Sequence, residues 1–427
     1  MNKVVVVLLT FFLHPLFGQK PVPEKPRILI STDIGGTDPD DNQSMTHLLM
    51  YNNLFNIEGL VSSPSYGAGR KEEILRMLDL YEKDFVNLSK KQKGLASPNF
   101  LRSITKQGRK GGAPYIGYTS STEGSDWMIQ CAKKPSKQKL WVLVWGGLED
   151  LAQALHDAPE IQKNIRVYWI GGPNKKWSAN AYAYIAANFP NLWMIENNAS
   201  YYGFFSKTHE LDRIEESDFY EKHLANTGEV GKDFANYYKG NVKMGDTPSL
   251  LYMMDGNPND PTKECWGGSF EKINRSAKVT FNRLSTQRDT VAFCTLVSFQ
   301  FKGPKINAPK DSIVFYMETP YAGGAQKWGG YYLGDGLYGL HYVPKQAETI
   351  HYQITSSIPE FPKGEGTLIV TNQWPGKSNP TDFPLGPNWY SDKSDPKLYD
   401  GKIQGGKTIS KWRKAVMEDW GNRTGEL

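Results

Sequence analysis

The chain has 427 residues, a formal net charge of +5, and 39% hydrophobic and 13% aromatic residues. That composition supplies an ample buried core, which excludes general disorder, and the length suits two to three domains. The basic residues are scattered rather than gathered in a stripe, so the charge gives no nucleic-acid-binding face.

In chain order, "MNKVVVVLLTFFLHPLFGQK" opens with a single lysine, Lys3, ahead of an apolar run and small residues near Gly18. This is the layout of a secretory signal peptide over residues 1–18. The run ends at His14-Pro15, too short to span a bilayer, and no cysteine follows it to take a lipid anchor. Export to a periplasm or beyond is expected, with no later segment long and apolar enough to cross a membrane. "RILISTDI" then reads as a strand covered on both faces, and a helix is expected from about Asp41 to Tyr51. "IEGLVSS", "KLWVLVWGG", "IRVYWIGG" and "NLWMIEN" read as further strands. "KEEILRMLDLYEKDF", "LEDLAQALHDAPE" and "NAYAYIAANF" read as the helices among them. This alternation predicts an α/β fold over residues 26–275, a mostly parallel sheet with helices on both faces and sites at the carboxyl ends of its strands.

Near residue 275 the pattern turns β-rich, with "AKVTFNRL", "DTVAFCTLVSFQF", "DSIVFYMETP", "ETIHYQITSS" and "GTLIVTNQW". "YAGGAQKWGGYYLGDG" reads as a Gly-rich loop between them. An inserted antiparallel β domain is expected over 276–395, followed over 396–427 by a helix whose Trp412, Val416 and Trp420 pack back on the first domain. Three cysteines, Cys131, Cys265 and Cys294, lack metal-ligand spacing and read as buried thiols.

Four aspartates, Asp33, Asp38, Asp40 and Asp41, fall within nine positions after the first strand, with no lysine or arginine between them. Two carboxylates about 4 Å apart repel by roughly 4 kcal/mol at an effective dielectric near 20. Two readings stand on the residues alone. Asp40 or Asp41 caps the following helix while the others face water, or oxygen ligands hold a hard cation in a loop that Gly35 and Gly36 free to wrap it.

"STDIGGTDPDD" resembles the strand-end signature of nucleoside hydrolases, in which such a cluster holds calcium. "VLVWGGLEDLAQAL" resembles the segment whose backbone carbonyl joins the metal, here that of Glu149. "KMGDTPSLLYMM" resembles the late acidic helix start, here Asp246. "WSANAYAYIAAN" after "WIGG" resembles the sugar-binding segment and puts Asn180, Asn188 and Trp177 near a ribosyl group. "GDTPSLLY" and "ECWGGSF" are similar to phrases of a secreted bacterial branch, some members of which are labelled cellulose-binding, with an added β domain. The chain departs from the enzyme pattern at Ser31, at three extra residues before Asp40, at Ala186 in place of a sugar-gripping glutamate, and at Gly245 in place of a histidine serving the leaving base.

The resemblance implies Ca2+ on Asp33, Asp41, Glu149 and Asp246, water activated at that ion, and Asp33 or Asp40 as general base. The bond attacked is glycosyl, N- or O-linked to a ribosyl or other furanosyl group. A catalytically silent carbohydrate-binding protein on the same fold is the alternative, so the expected partner is a small sugar or glycoside. For the leaving-group acid, Glu196, His209 and Glu210 are candidates, but a surface position explains each of them more simply. Trp145, Trp177, Trp266 and Trp328, beside glycines or in turns, serve either a sugar-binding face or the packing between domains.

Overall fold

The structure is a computed structural model that describes residues 24–205, 216–321 and 323–425. The signal-peptide segment 1–18 lies outside the described residues, as do His209 and Glu210. The strands are β1 (Arg27–Thr32), β2 (Asn56–Ser62), β3 (Thr105–Gln107), β4 (Leu140–Val144), β5 (Ile165–Ile170), β6 (Met194–Asn197) and β7 (Phe270–Lys272). They continue with β8 (Arg275–Ser276), β9 (Lys278–Phe281), β10 (Thr290–Ala292), β11 (Leu296–Lys302), β12 (Ile313–Tyr321) and β13 (Gly324–Gly334). The last five are β14 (Leu337–Tyr342), β15 (Thr349–Thr355), β16 (Gly364–Thr371), β17 (Phe383–Pro384) and β18 (Trp389–Asp392).

The first sheet runs β3-β2-β1-β4-β5-β6-β18-β7, parallel throughout except for the pairing of β18 with β7. Every residue of β1 and β4 is buried, which is why both read as unbroken apolar runs. Strand order reverses between β1 and β4, and at such a switch point a crevice opens beyond the carboxyl ends of the strands. The chain leaves β1 through Gly35 at φ +82° and enters the helix Asp40–Tyr51. Pro39 precedes that helix without a side-chain cap, so Asp40 and Asp41 are first-turn residues and not caps.

The second sheet runs β10-β16-β15-β12-β13-β14-β11-β9, antiparallel except at its two edges. Two assignments from sequence change. The Gly-rich stretch from Gly324 is strand β13, hairpinned to β12, and Gly330 lies opposite Phe315. A Cβ at Gly330 would stand 2.1 Å from the Phe315 ring, so the ring covers the glycine and supplies the packing its own side chain lacks. Trp389–Asp392, read as part of the β domain, instead pairs with β6 as the seventh strand of the first sheet.

The helix Arg413–Gly425 packs on the helix Asp40–Tyr51. Trp420 is fully buried against His47, Phe219 and Phe234, Tyr51 donates to Asp419 at 2.6 Å, and Arg423 donates to the Met50 carbonyl at 2.8 Å. Trp412 precedes that helix and is only half-buried. The three cysteines are free and buried. No helix among the described residues is long and apolar enough to cross a membrane.

Trp420→Ala should cost about 3–5 kcal/mol, read as a fall in the urea midpoint, because it opens a cavity between two packed helices. His47 is buried with no hydrogen bond on either ring nitrogen, and burial, then the charge of Arg423, push its pKa down to about 3. The unfolded chain therefore takes up a proton that the folded chain refuses, so stability present above about pH 6.5 is lost as pH falls toward 3. Between pH 7.5 and 5 the wild type should lose about 2 kcal/mol more than His47→Phe, measured by denaturant titration at both pH values.

Candidate functional site

The aspartates converge at the switch point. Asp33 directly follows β1, Asp40 and Asp41 open the next helix, and Asp246 sits at the start of the helix Thr247–Asp255. Carboxylate oxygens of Asp40, Asp41 and Asp246 all lie within 4.8 Å of one another. Asp33 is in hydrogen-bonding range of Asp41 and Ser65. Neither helix start uses its carboxylates as side-chain caps, which leaves them to the cluster. Thr32 Oγ1 donates to Asp41 Oδ1 and accepts from the Ile34 amide at 3.1 Å, while Asp246 Oδ2 is buried with no hydrogen bond. Asp38 stands apart: it is exposed and accepts from Tyr238 and Lys243, whose ammonium lies 3.6 Å from Asp40.

Burial and mutual repulsion hold these groups toward their neutral forms. Burial, then Asp38, raises Asp33 to about 6 and Asp40 to about 7, with Lys243 opposing the rise at Asp40. Asp41, by burial and then Asp246, and Asp246, by burial and then Asp40, are raised further. One lysine does not neutralise four carboxylates, of which Asp41 and Asp246 are buried and Asp33 and Asp40 half-buried. Their donor set is oxygen only and one oxygen is orphaned, which fits a hard divalent cation.

Above this floor is a cleft of about 580 Å³. Trp145, after β4, donates from its ring nitrogen to Ser249 at 2.7 Å and presents its indole to the cleft. Asn174 donates to the Trp145 carbonyl at 2.8 Å and accepts from Ser65 at 2.6 Å. Trp177 is packed between Tyr66, centroids 4.5 Å apart, and Trp328 of β13, centroids 4.6 Å apart and near parallel. Tyr321, Gln326 and Lys345 bring the second sheet into the same cleft.

Of the residues singled out by sequence, Asp33, Asp40, Asp41, Asp246 and Trp177 line the cleft. Glu149, Asn180 and Asn188 do not. Glu149 opens the helix Glu149–Asp157 with its carboxylate turned inward, accepting from Ser178 at 3.0 Å, and burial raises its pKa to about 8. Asn180 bridges the Ala113 carbonyl and His341, and Asn188, exposed at the surface, donates to the Tyr184 carbonyl one turn back, so neither amide lines the cleft. Glu196 is no acid for a leaving group: it is fully buried, 2.5 Å from the Lys175 ammonium, and also accepts from Tyr182, Trp389 and Asn198. Ala186 is packed in the core. A Cβ at Gly245 would lie 2.2 Å from Asp40 Oδ2, so Asp40 occupies the space that a histidine there needs. Asn174 was missed although it sits just past the end of β5, where a strand-end rule points. Tyr321, Gln326 and Lys345 carried no local signal, because only the packing of the second sheet brings them in.

Among curated proteins none matches the chain. Among solved structures, a nucleoside hydrolase-related hypothetical protein from Saccharophagus degradans, associated with carbohydrate metabolism, is 18% identical with a TM-score of 0.51. That match covers 82% of this chain and 100% of the other. The inosine-uridine preferring nucleoside hydrolase from Bacillus anthracis is 15% identical over 60% of this chain and 87% of its own, with a TM-score of 0.38. The plant nucleoside hydrolase PpNRh1 is 11% identical over 94% of this chain and 99% of its own, with a TM-score of 0.43. A family model described as "Cellulose-binding Sde182, nucleoside hydrolase-like domain" matches residues 27–270, which hold β1 to β6 and every aspartate of the cluster. Over more than half of its length, then, the chain belongs to the cellulose-binding Sde182, nucleoside hydrolase-like family.

Proposed function

We propose that the protein is an exported, calcium-dependent hydrolase of a ribosyl or other furanosyl bond. The observation that carries this is the set of three carboxylates with oxygens within 4.8 Å, one of them orphaned, at the floor of an aromatic-rimmed cleft. Asp40, Asp41 and Asp246, with Asp33 beside them, would hold the ion, and calcium accepts six to eight oxygens, leaving positions for sugar hydroxyls and water. When bound, the ion supplies positive charge that makes water more acidic and fixes hydroxyls in place. Asp33, within reach of Ser65 and Asp41, is placed to take a proton from water at the floor, and Asp40 is the second candidate. The carboxylates together stabilise the positive charge that develops at an anomeric carbon as its bond breaks. Trp145 and Asn174 shape the sugar pocket above them. In the same reading, the second sheet is an insertion between the α/β unit and its C-terminal helix.

Residue 245 bears on the rival reading. A side chain there would have to displace the Asp40 carboxylate, and the family description is cellulose-binding, so a carbohydrate-binding protein without catalysis is the second reading.

Calcium added to chelated protein should raise the melting temperature by a few degrees, about 2.7 kcal/mol at a hundredfold excess over Kd, and Asp41→Ala should abolish the rise. A melting curve indifferent to calcium overturns the cation assignment. General-acid help is worth roughly 10²–10⁴-fold, and Gly245 offers none. A nitrophenyl furanoside, whose leaving group needs little protonation, should therefore be turned over at least a hundredfold faster than inosine (roughly, from the low end of that range). Asp33→Asn should remove that activity without lowering the melting temperature. No turnover of either compound by calcium-loaded protein selects the binding reading.

A further inference from the structure

The cleft is walled partly by the β12–β13 hairpin, which lies outside the residues that the family model matches. Two contacts pin this hairpin. Trp328 stacks on Trp177, and Lys176 donates to Gln326 Oε1 at 3.2 Å. Gln326 and Trp328 are two apart on β13 and so share a face. Lys176 itself is nearly buried over the rings of Trp328, Trp177 and Tyr342, at 4.8, 5.2 and 5.6 Å from their centroids. A lysine only donates, so it fixes the orientation of the Gln326 amide. Gln326 Nε2 makes no hydrogen bond among the described residues and is the donor left for the cleft. Lys345 adds a second exposed donor, and Tyr321 is 56% exposed at the end of β12.

The two parts of the cleft are chemically unlike. The floor offers carboxylate oxygens, whereas the hairpin offers the Gln326 donor and an open aromatic face, with Lys345 of the loop after β14 beside them. Sugar hydroxyls both donate and accept, and the apolar face of a sugar ring packs on a single aromatic ring. A nucleobase is served better by a slot between two rings, and Trp177, the central ring here, is already packed against both Tyr66 and Trp328.

We propose that the β12–β13 hairpin is a carbohydrate subsite, in which Tyr321 stacks on a sugar ring while Gln326 and Lys345 donate to its hydroxyls. It holds a further sugar residue beyond the one at the aspartates, so the ligand is a neutral oligosaccharide rather than a nucleoside. This rests on the glycoside reading of the aspartate floor but not on turnover.

The test is calorimetric titration of the full-length, calcium-loaded protein with cellotetraose, xylotetraose and arabinotetraose, and with inosine. At least one tetrasaccharide should bind more tightly than inosine. Tyr321→Ala and Gln326→Ala should each weaken it roughly tenfold, with the calcium-induced rise in melting temperature unchanged. Lys327→Ala, on the same hairpin but paired with Glu318 and outside the cleft, should leave the affinity as it was. Absence of tetrasaccharide binding to the wild type, or wild-type affinity in both hairpin variants, overturns the proposal. Tetrasaccharide binding that needs the hairpin, in a protein that turns over no glycoside, sustains it while removing the hydrolytic reading. Turnover of the nitrophenyl furanoside with hairpin-independent binding does the reverse.

Discussion

Buried carboxylates beyond the carboxyl end of β1 are the constraint around which the rest is arranged. Desolvation and mutual repulsion together make such a cluster unfavourable in its charged form, and the protein provides only partial relief. Asp40 and Asp41 sit in the first turn of a helix, where the partial positive charge of its amides favours them. Thr32 gives Asp41 one hydrogen bond and Lys243 lies near Asp40. These devices position the carboxylates without neutralising them. The relief is least complete at Asp246, whose Oδ2 has no partner.

The same crowding reaches beyond charge. The Asp40 carboxylate fills the space above Gly245, so a side chain at 245 could enter only if that carboxylate moved. Sequence alone gave no reason to connect the two positions.

Legibility followed locality. β1 and β4 were readable because burial on both faces forces unbroken apolar runs, and the cluster was readable because four uncompensated charges in nine residues are an anomaly in any fold. What failed depended on which way a side chain turns. Asn180, Tyr184 and Asn188 recur every four residues on the helix Ala179–Asn188 and so share a face. That face meets His341 and the surface, away from the cleft, so a motif placed the helix correctly but not its asparagines. β13 was hidden because its glycines carry no strand propensity of their own, and Phe315 across the hairpin supplies what they lack.

Two adjacent lysines explain how the second sheet comes to wall the site. Lys175 and Lys176 lie on the short helix Gly172–Trp177 after β5, and neighbouring helical residues point in different directions. Lys175 turns into the junction, where its ammonium meets Glu196 of β6 and the ring of Trp374, which follows β16. That ion pair has no solvent exposure on either side chain and ties the helix to β6, so losing either partner would be strongly destabilising. Lys176 turns toward Trp328 and Gln326. The helix that carries Trp177 and Asn174 to the cleft is therefore also the one that fixes the second sheet beside it. Displacing that sheet would take Trp374 from the Lys175 ammonium and Trp328 from the Trp177 ring at once.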